Sequence, residues 1–188
     1  MIPMRRFLVV LTASLWLAGA AAPPASPRPS GIEEAFKGLA IGRGRLKSRV
    51  IGLDRGFLVW TTGRTIDDVF VLDQLFRFDD GSSDRRTWQF RRTGPTTYVG
   101  ARQDLAAPAQ LRIEGGVVRL SYDIWLRRRG EPALRLHFED RITRLASGAL
   151  LSRGTIYRLG VPVGSVETHL IPDPGRPEAT GQGTGPQR

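Results

Sequence analysis

The sequence predicts an all-β protein, a single antiparallel up-and-down barrel of about ten strands with a short N-terminal helical turn. Three observations predict this fold class. Short runs of alternating apolar and polar residues recur along the chain, clusters of Gly, Asp and Pro separate them, and no run has the length of a helix that could cover a sheet. Closure into a barrel removes the exposed edges that an open sheet would leave. A sandwich of two sheets is the alternative.

A β-hairpin over residues 111–126 is the clearest element. The glycines at 115–116 supply the two loop residues of a primed turn, which places Ile113 opposite Val118. The alternation then gives the hairpin one wholly apolar face, consisting of Leu111, Ile113, Val118, Leu120, Tyr122, Ile124 and Leu126. Such a face predicts a sheet that covers a core.

The remaining elements follow from the same reasoning. Ser30 and Glu33 have the spacing of a capping box, which predicts a short helix over residues 32–37 that ends at Gly38. The other predicted strands span 40–50, 57–62, 69–78, 87–92, 97–105, 133–143, 150–158 and 161–171.

The N-terminal region has the layout of a secretory signal peptide over residues 1–22. Arg5 and Arg6 precede an apolar run over 7–17, and small residues follow. We therefore expect a periplasmic or secreted protein after cleavage, or a membrane-anchored one if the signal is retained.

Both flanks of the barrel have compositions typical of unpacked chain. Residues 23–31 are rich in Pro, Ala and Ser and predict a linker, and residues 172–188 are rich in Pro and Gly and predict a disordered tail. The barrel domain is therefore expected over residues 32–171.

The composition excludes several kinds of site. The chain has no cysteine, so it has no disulfide and no thiolate nucleophile or metal ligand. The two histidines lie off the apolar faces and no catalytic motif is visible, so we expect no metal, no cofactor and no enzymatic activity. The net charge of +10 suits an anionic membrane surface as a partner, whereas no nucleic-acid-binding motif is present.

Two polar residues interrupt predicted apolar faces. Gln74 lies among phenylalanines and leucines in one strand, and Asp140 lies among core residues in another. A buried carboxylate without a partner costs several kcal/mol, so Asp140 should be protonated or paired, and Arg153 and Arg86 are its candidate partners. Gln74, Asp140 and Arg153 form either a buried network that fixes the register or the polar end of a ligand cavity, and catalysis by Asp140 is a third interpretation.

Several segments together resemble a known family. They span residues 72–81, 86–88, 98–101 with Asp104, 139–140, 152–153 and 159–164. In order and spacing they resemble a family of bacterial envelope proteins catalogued as a domain of unknown function, many of whose members look like lipoproteins. The resemblance implies a lipocalin-like barrel, and because family members often accompany fatty-acid-modifying enzymes, it also implies a lipid-like ligand.

The chain departs from the family pattern at four points. Gln74 stands where the family has Glu, Arg141 where it has Trp, and Ser152 where it has Asn. The lipid-attachment cysteine is also missing, which implies a soluble form in place of a tethered one.

Three functions remain open from the sequence. The first is a non-enzymatic exported barrel that binds a small apolar or amphipathic, lipid-like molecule. The second is a structural or partner-binding envelope protein with a solid core and a basic surface, and the third is an enzyme that acts on a lipid-like substrate. The predicted ligand-binding residues are Gln74, Arg86, Trp88, Tyr122, Asp140 and Arg153.

Overall fold

The computed structural model describes residues 31–50, 52–127 and 130–173. They form one short helix, α1 (Ile32–Phe36), and ten strands that close into an antiparallel barrel, so the predicted fold class is confirmed. The strands are β1 (Gly38–Ser48), β2 (Leu53–Ile66), β3 (Val69–Phe78), β4 (Ser83–Gly94), β5 (Thr97–Ala101), β6 (Ala109–Glu114), β7 (Val117–Leu126), β8 (Leu134–Arg144), β9 (Leu150–Arg158) and β10 (Val161–Pro172). The predicted signal peptide lies outside the described residues, as do nearly all of the predicted linker and tail.

Each strand pairs with its neighbours in sequence, and β1 pairs with β10 to close the barrel. The predicted hairpin register is confirmed, because Ile113 lies opposite Val118 in the β6–β7 pair. Gly115 and Gly116 have φ angles of 58° and 81°, which a primed two-residue turn requires and which glycine adopts without steric cost.

Three strands differ clearly in length from their predictions, and one of them is β4, which spans Ser83–Gly94 where 87–92 was predicted. β2 extends well beyond the predicted 57–62, because its flanking polar residues pair with β1 and β3 even where no apolar alternation marks them. β5 ends at Ala101, before the predicted end at residue 105, because Arg102 and Asp104 bind each other in a turn.

Helix α1 covers one end of the barrel, here called the covered end. Its buried Ile32 and Phe36 pack on the core, and Gly63 at the end of β2 lets it approach closely, since a β-carbon there would collide with the Phe36 carbonyl oxygen. The opposite end, called the far end, carries the β1–β2, β3–β4 and β9–β10 turns. Among the described residues, no helix has the length and apolarity needed to cross a membrane.

The predicted helix is present, and Ser30 of the predicted capping box lies outside the described residues. Gly31 is the N-cap and provides no side-chain hydrogen bond. The Glu33 carboxylate accepts hydrogen bonds from the Tyr98 hydroxyl at 2.8 Å and from Arg92 at 3.1 Å. Glu33 therefore ties α1 to β4 and β5.

Candidate ligand-binding cavity

The barrel interior encloses a cavity of about 210 Å³. Most of its lining is aliphatic or aromatic, and its polar lining residues are Gln74, Arg86, Arg102, Tyr122, Asp140, Ser152 and Thr168. An apolar cavity of about 150 Å³ already binds benzene, so this one can hold a small organic molecule or part of a longer one. A solid core, which the second sequence hypothesis required, does not match this interior.

The structure brings five of the six predicted ligand-binding residues together on the cavity lining, and they are Gln74, Arg86, Trp88, Tyr122 and Asp140. Gln74 and Arg86 are direct cross-strand partners in the β3–β4 pair. Trp88 packs edge-on against Tyr122 with ring centroids 5.1 Å apart. The polar lining thus reaches from β3 across to β8.

Arg153 is the exception, and its predicted place beside Asp140 is wrong. Asp140 lies opposite Gly154 in the β8–β9 pair, so Arg153, one position away, projects outward. Its side chain is 67% exposed and donates a hydrogen bond to Glu167 at 2.9 Å. Gly154 fills the inward position because a β-carbon there would collide with the Asp140 carboxylate.

Asp140 and Tyr122 form a hydrogen-bonded pair inside the barrel. The Tyr122 hydroxyl donates to Asp140 Oδ2 at 3.2 Å. Burial raises the pKa of the Asp140 carboxyl to about 6, although this hydrogen bond and the charges of Arg102 and Arg86 act in the opposite direction. Burial and the nearby carboxylate also raise the pKa of Tyr122, so its hydroxyl keeps its proton.

Arg102 is the buried cation that the sequence analysis missed. Its side chain is only 4% exposed, and its guanidinium lies 4.3 Å from the Trp88 ring and 5.2 Å from the Tyr122 ring. Asp104 accepts hydrogen bonds from Arg102 Nε and, at 2.9 Å, from Nη2. Burial opposes ionisation of Asp104, but Arg102 outweighs it and holds the pKa of that carboxyl below its ordinary value.

Arg86 is the second cation on the cavity lining. Its Nε donates to Asp84 at 2.8 Å, and its guanidinium lies 4.8 Å from the Phe76 ring. In both arginines an aspartate near the strand end holds the guanidinium edge and an aromatic ring supports its face. The side chains are therefore held in place before any ligand arrives.

Ser152 and Thr168 were also missed as lining residues, although alternation could have found Thr168, which is two positions from the buried Leu170 in β10. Ser152 shares its phase along β9 with the buried Leu150 and Ile156. Arg102 had no such signal, since it follows the end of β5 in a turn where side chains do not alternate. Among the described residues, no group of three His, Cys, Asp or Glu side chains is placed to hold a metal ion.

A closed ten-stranded barrel around a largely apolar cavity places the chain in the lipocalin-like class of folds. The chain belongs to the family described as a protein of unknown function, DUF3833, whose pattern matches residues 25–171. The resemblance stated from the sequence segments is thereby confirmed.

Two solved structures are similar to this chain. One is the S-type phycobiliprotein lyase CPES from Guillardia theta, with a TM-score of 0.58, 9% identity, and coverage of 77% of this chain and 92% of that one. The other is Rv2717c from M. tuberculosis, with a TM-score of 0.53, 18% identity, and coverage of 74% and 93%. At these identities the likeness shows the fold alone. No curated protein matches the chain.

Proposed function

We propose that this protein is a non-enzymatic barrel that binds a small amphipathic, lipid-like molecule in its interior. One observation carries the proposal: a largely apolar cavity of about 210 Å³ has two supported guanidinium groups on its lining. Arg86 lies opposite Gln74, and Arg102 lies over the Trp88 and Tyr122 rings. Small-molecule sites commonly combine an apolar lining with a few fixed polar groups that set the ligand's orientation.

The free N–H groups of the two cavity arginines indicate which polar head group the ligand would carry. Arg102 uses Nε and one Nη to bind Asp104, and Arg86 uses Nε to bind Asp84, so each keeps N–H groups for another acceptor. An oxygen-rich or anionic head, such as a carboxylate, would satisfy these donors. The apolar tail would then lie along Trp88 and Tyr122.

Export of the mature barrel to the periplasm or beyond is part of the same proposal. It rests on the signal-like sequence over residues 1–22. An exported carrier of a lipid-like molecule would work next to membranes, and an anionic membrane surface is accordingly its proposed partner.

The first experiment is native mass spectrometry of the protein purified from its own envelope, followed by organic extraction. A discrete co-purifying lipid-like molecule is expected. A bare mass from a folded sample that also fails to bind the fluorescent fatty acid cis-parinaric acid would overturn the proposal.

A pair of variants tests the assigned side of the barrel with the same probe. Arg86→Leu removes a cavity guanidinium that is partly exposed, and it should weaken cis-parinaric acid binding about tenfold or more, because a charged hydrogen bond contributes roughly 1.5–3 kcal/mol. Arg153→Leu is the matched control on the outer surface and should bind like the original protein. Equal loss in both variants would contradict the site.

A second candidate, an enzyme acting on a lipid-like substrate, is favoured by Asp140. Burial raises its pKa to about 6, in the range where a carboxyl exchanges protons efficiently near neutral pH. Incubating the extracted molecule with the protein and following its mass tests this candidate. A mass change that Asp140→Asn abolishes would favour the enzyme over the carrier.

A further inference from the structure

The turn between β9 and β10 at the far end carries a leucine that the fold does not explain. Leu159 is 94% exposed and has a φ of 51°, in the left-handed region. Two-residue primed turns favour Asn, Asp or Gly at such positions, because a side chain with a β-carbon is strained there. Leu159 is therefore both strained and fully presented to the surroundings.

Two further apolar side chains lie at the same end. Val161 is 60% exposed at the start of β10, and Val50 is 55% exposed in the β1–β2 turn. The two turns are neighbours, since the Ser48 hydroxyl donates to the Val163 carbonyl at 2.7 Å and joins the end of β1 to the start of β10. Leu159, Val50 and Val161 are here called the apolar tip.

Basic residues adjoin the apolar tip. Lys47, Arg49 and Arg158 are exposed, and none of them forms an ion pair with another described residue. The acidic residues of the neighbouring turns are bound internally. Asp54 pairs with Arg45 and Asp80 with Arg55.

Asp79 accepts a hydrogen bond from the Gly56 N–H at 2.7 Å. Asp79 keeps its negative charge, as does Glu131 in the turn before β8. Lys47, Arg49 and Arg158 outnumber these two carboxylates, so the net charge around the apolar tip is positive.

We propose that the apolar tip docks the far end of the barrel on an anionic membrane surface. Protruding apolar side chains next to cations match a bilayer, because the apolar groups enter the boundary between headgroups and acyl chains while the cations meet lipid phosphates. A water-facing role gives no reason for a strained, exposed leucine.

The position of the cavity adds a consequence, which rests on the proposed function. Helix α1 lies over the covered end, while Leu53 and Leu126 of the cavity lining lie near the far end. A lipid-like ligand would therefore pass between cavity and bilayer at the docked end.

Because the chain has no cysteine, a single engineered cysteine reports on one position alone. Leu159→Cys in the full chain is labelled with the environment-sensitive fluorophore NBD and mixed with vesicles of 30% phosphatidylglycerol in phosphatidylcholine. The matched control is Ile66→Cys, at an exposed apolar residue beside the covered end. This local readout distinguishes docking by the tip from attachment through the N-terminal apolar residues.

The proposal expects a blue shift and brightening of the label at residue 159 with anionic vesicles, little change with pure phosphatidylcholine, and none at residue 66. Arg49→Gln and Arg158→Gln, added singly to the labelled protein, should each weaken the apparent vesicle affinity about fivefold. Arg91→Gln, at an exposed residue near the covered end, should leave it unchanged. An unchanged signal at residue 159, or equal shifts at both positions, would overturn the proposal.

Leu159→Asn is a variant whose loss of vesicle binding could not be explained by misfolding, since asparagine tolerates the positive φ of this turn. This variant should fold at least as well as the original and should lose vesicle binding through the tip, measured with NBD on Val161→Cys. Binding of cis-parinaric acid in solution is measured in parallel. A vesicle signal that persists in Leu159→Asn refutes docking by the tip. Failure of the original protein to bind cis-parinaric acid, while its labelled tip still responds to vesicles, refutes the proposed cavity function alone.

Discussion

Three tyrosine hydroxyls donate to carboxylates among the described residues, and Tyr157 with Glu139 is an exposed pair. The other two pairs differ in what else the carboxylate meets. At the covered end, Glu33 accepts hydrogen bonds from Tyr98 at 2.8 Å and from Arg92 at 3.1 Å. In the cavity, Asp140 accepts from Tyr122 at 3.2 Å, and its nearby arginines bind other aspartates. In the part of the chain that the structure describes, the first carboxylate is paired with a cation and the second is not.

The difference separates a carboxylate that ties elements of the fold together from one whose charge no ion pair compensates among the described residues. The Glu33 network joins α1 to β4 and β5, and burial together with Glu33 raises the pKa of Tyr98 to about 12. Asp140 has a pKa of about 6 because burial disfavours its charge and, among the described residues, no cation forms an ion pair with it. A fold optimised for stability alone would pair or replace such a carboxyl.

Replacing Asp140 by Asn should have the largest effect. The folded pKa of about 6 lies above the ordinary 3.8, so the folded protein binds this proton more tightly than the unfolded chain does. Stability from this group is present below about pH 4 and is lost as the pH rises through 6. Asp140→Asn should therefore be more stable than the original at pH 7.5 by up to about 3 kcal/mol and equally stable near pH 4.

Urea unfolding of both proteins from pH 4 to 8 measures this difference. Glu33→Gln is the matched control at the covered end, where loss of the partly exposed pair with Arg92 should cost about 1 kcal/mol or less. A stability difference for Asp140→Asn that does not change with pH would contradict the assigned pKa.

Gly154→Ala tests the close contact that lets Asp140 lie inside the barrel. The added β-carbon would collide with the Asp140 carboxylate, so we expect a loss of about 1–3 kcal/mol in the free energy of unfolding. In an Asp140→Ala background the same change should cost much less. Equal losses in the two backgrounds, measured by urea unfolding, would show that the carboxylate is not the obstacle.

Removing the hydroxyl of Tyr98 or of Tyr122 should have the smallest effects on stability, but the two variants should differ in how their stability depends on pH. Tyr98→Phe should lower stability by about 1 kcal/mol with no change in its pH profile, because Arg92 still holds Glu33. Tyr122→Phe should move the Asp140 transition to higher pH, because the lost hydrogen bond favoured the ionised form. Unfolding profiles against pH distinguish the two, and a shift in Tyr98→Phe would remove the contrast.

Most of the fold could be predicted from the sequence because alternation and turn residues act locally. β3 and β9 have their predicted bounds, and the Gly115–Gly116 turn sets the register of its hairpin. The tertiary partners of Glu33, Tyr98 and Arg92, could not be predicted, because both lie far from it in sequence.

The candidate site was less predictable because it depends on how strands meet. β9 begins with Leu150 and Leu151, both buried, so its sequence leaves the inward phase ambiguous and Arg153 was assigned to the wrong face. Only the pairing of Asp140 with Gly154 settles that phase. Arg102 acts from a turn, where no periodic pattern gives its direction.

The pairing of β1 with β10 has a consequence for how the chain folds. Every other strand neighbour is consecutive in sequence, whereas Ala40 must find Pro172 across almost the whole domain. Such a long-range contact forms late and slowly, because the entropy of closing the loop opposes it until the other strands are assembled. During synthesis the first strand stays without its last partner until the tenth has been made, so the cavity takes its final shape only after the whole domain is available.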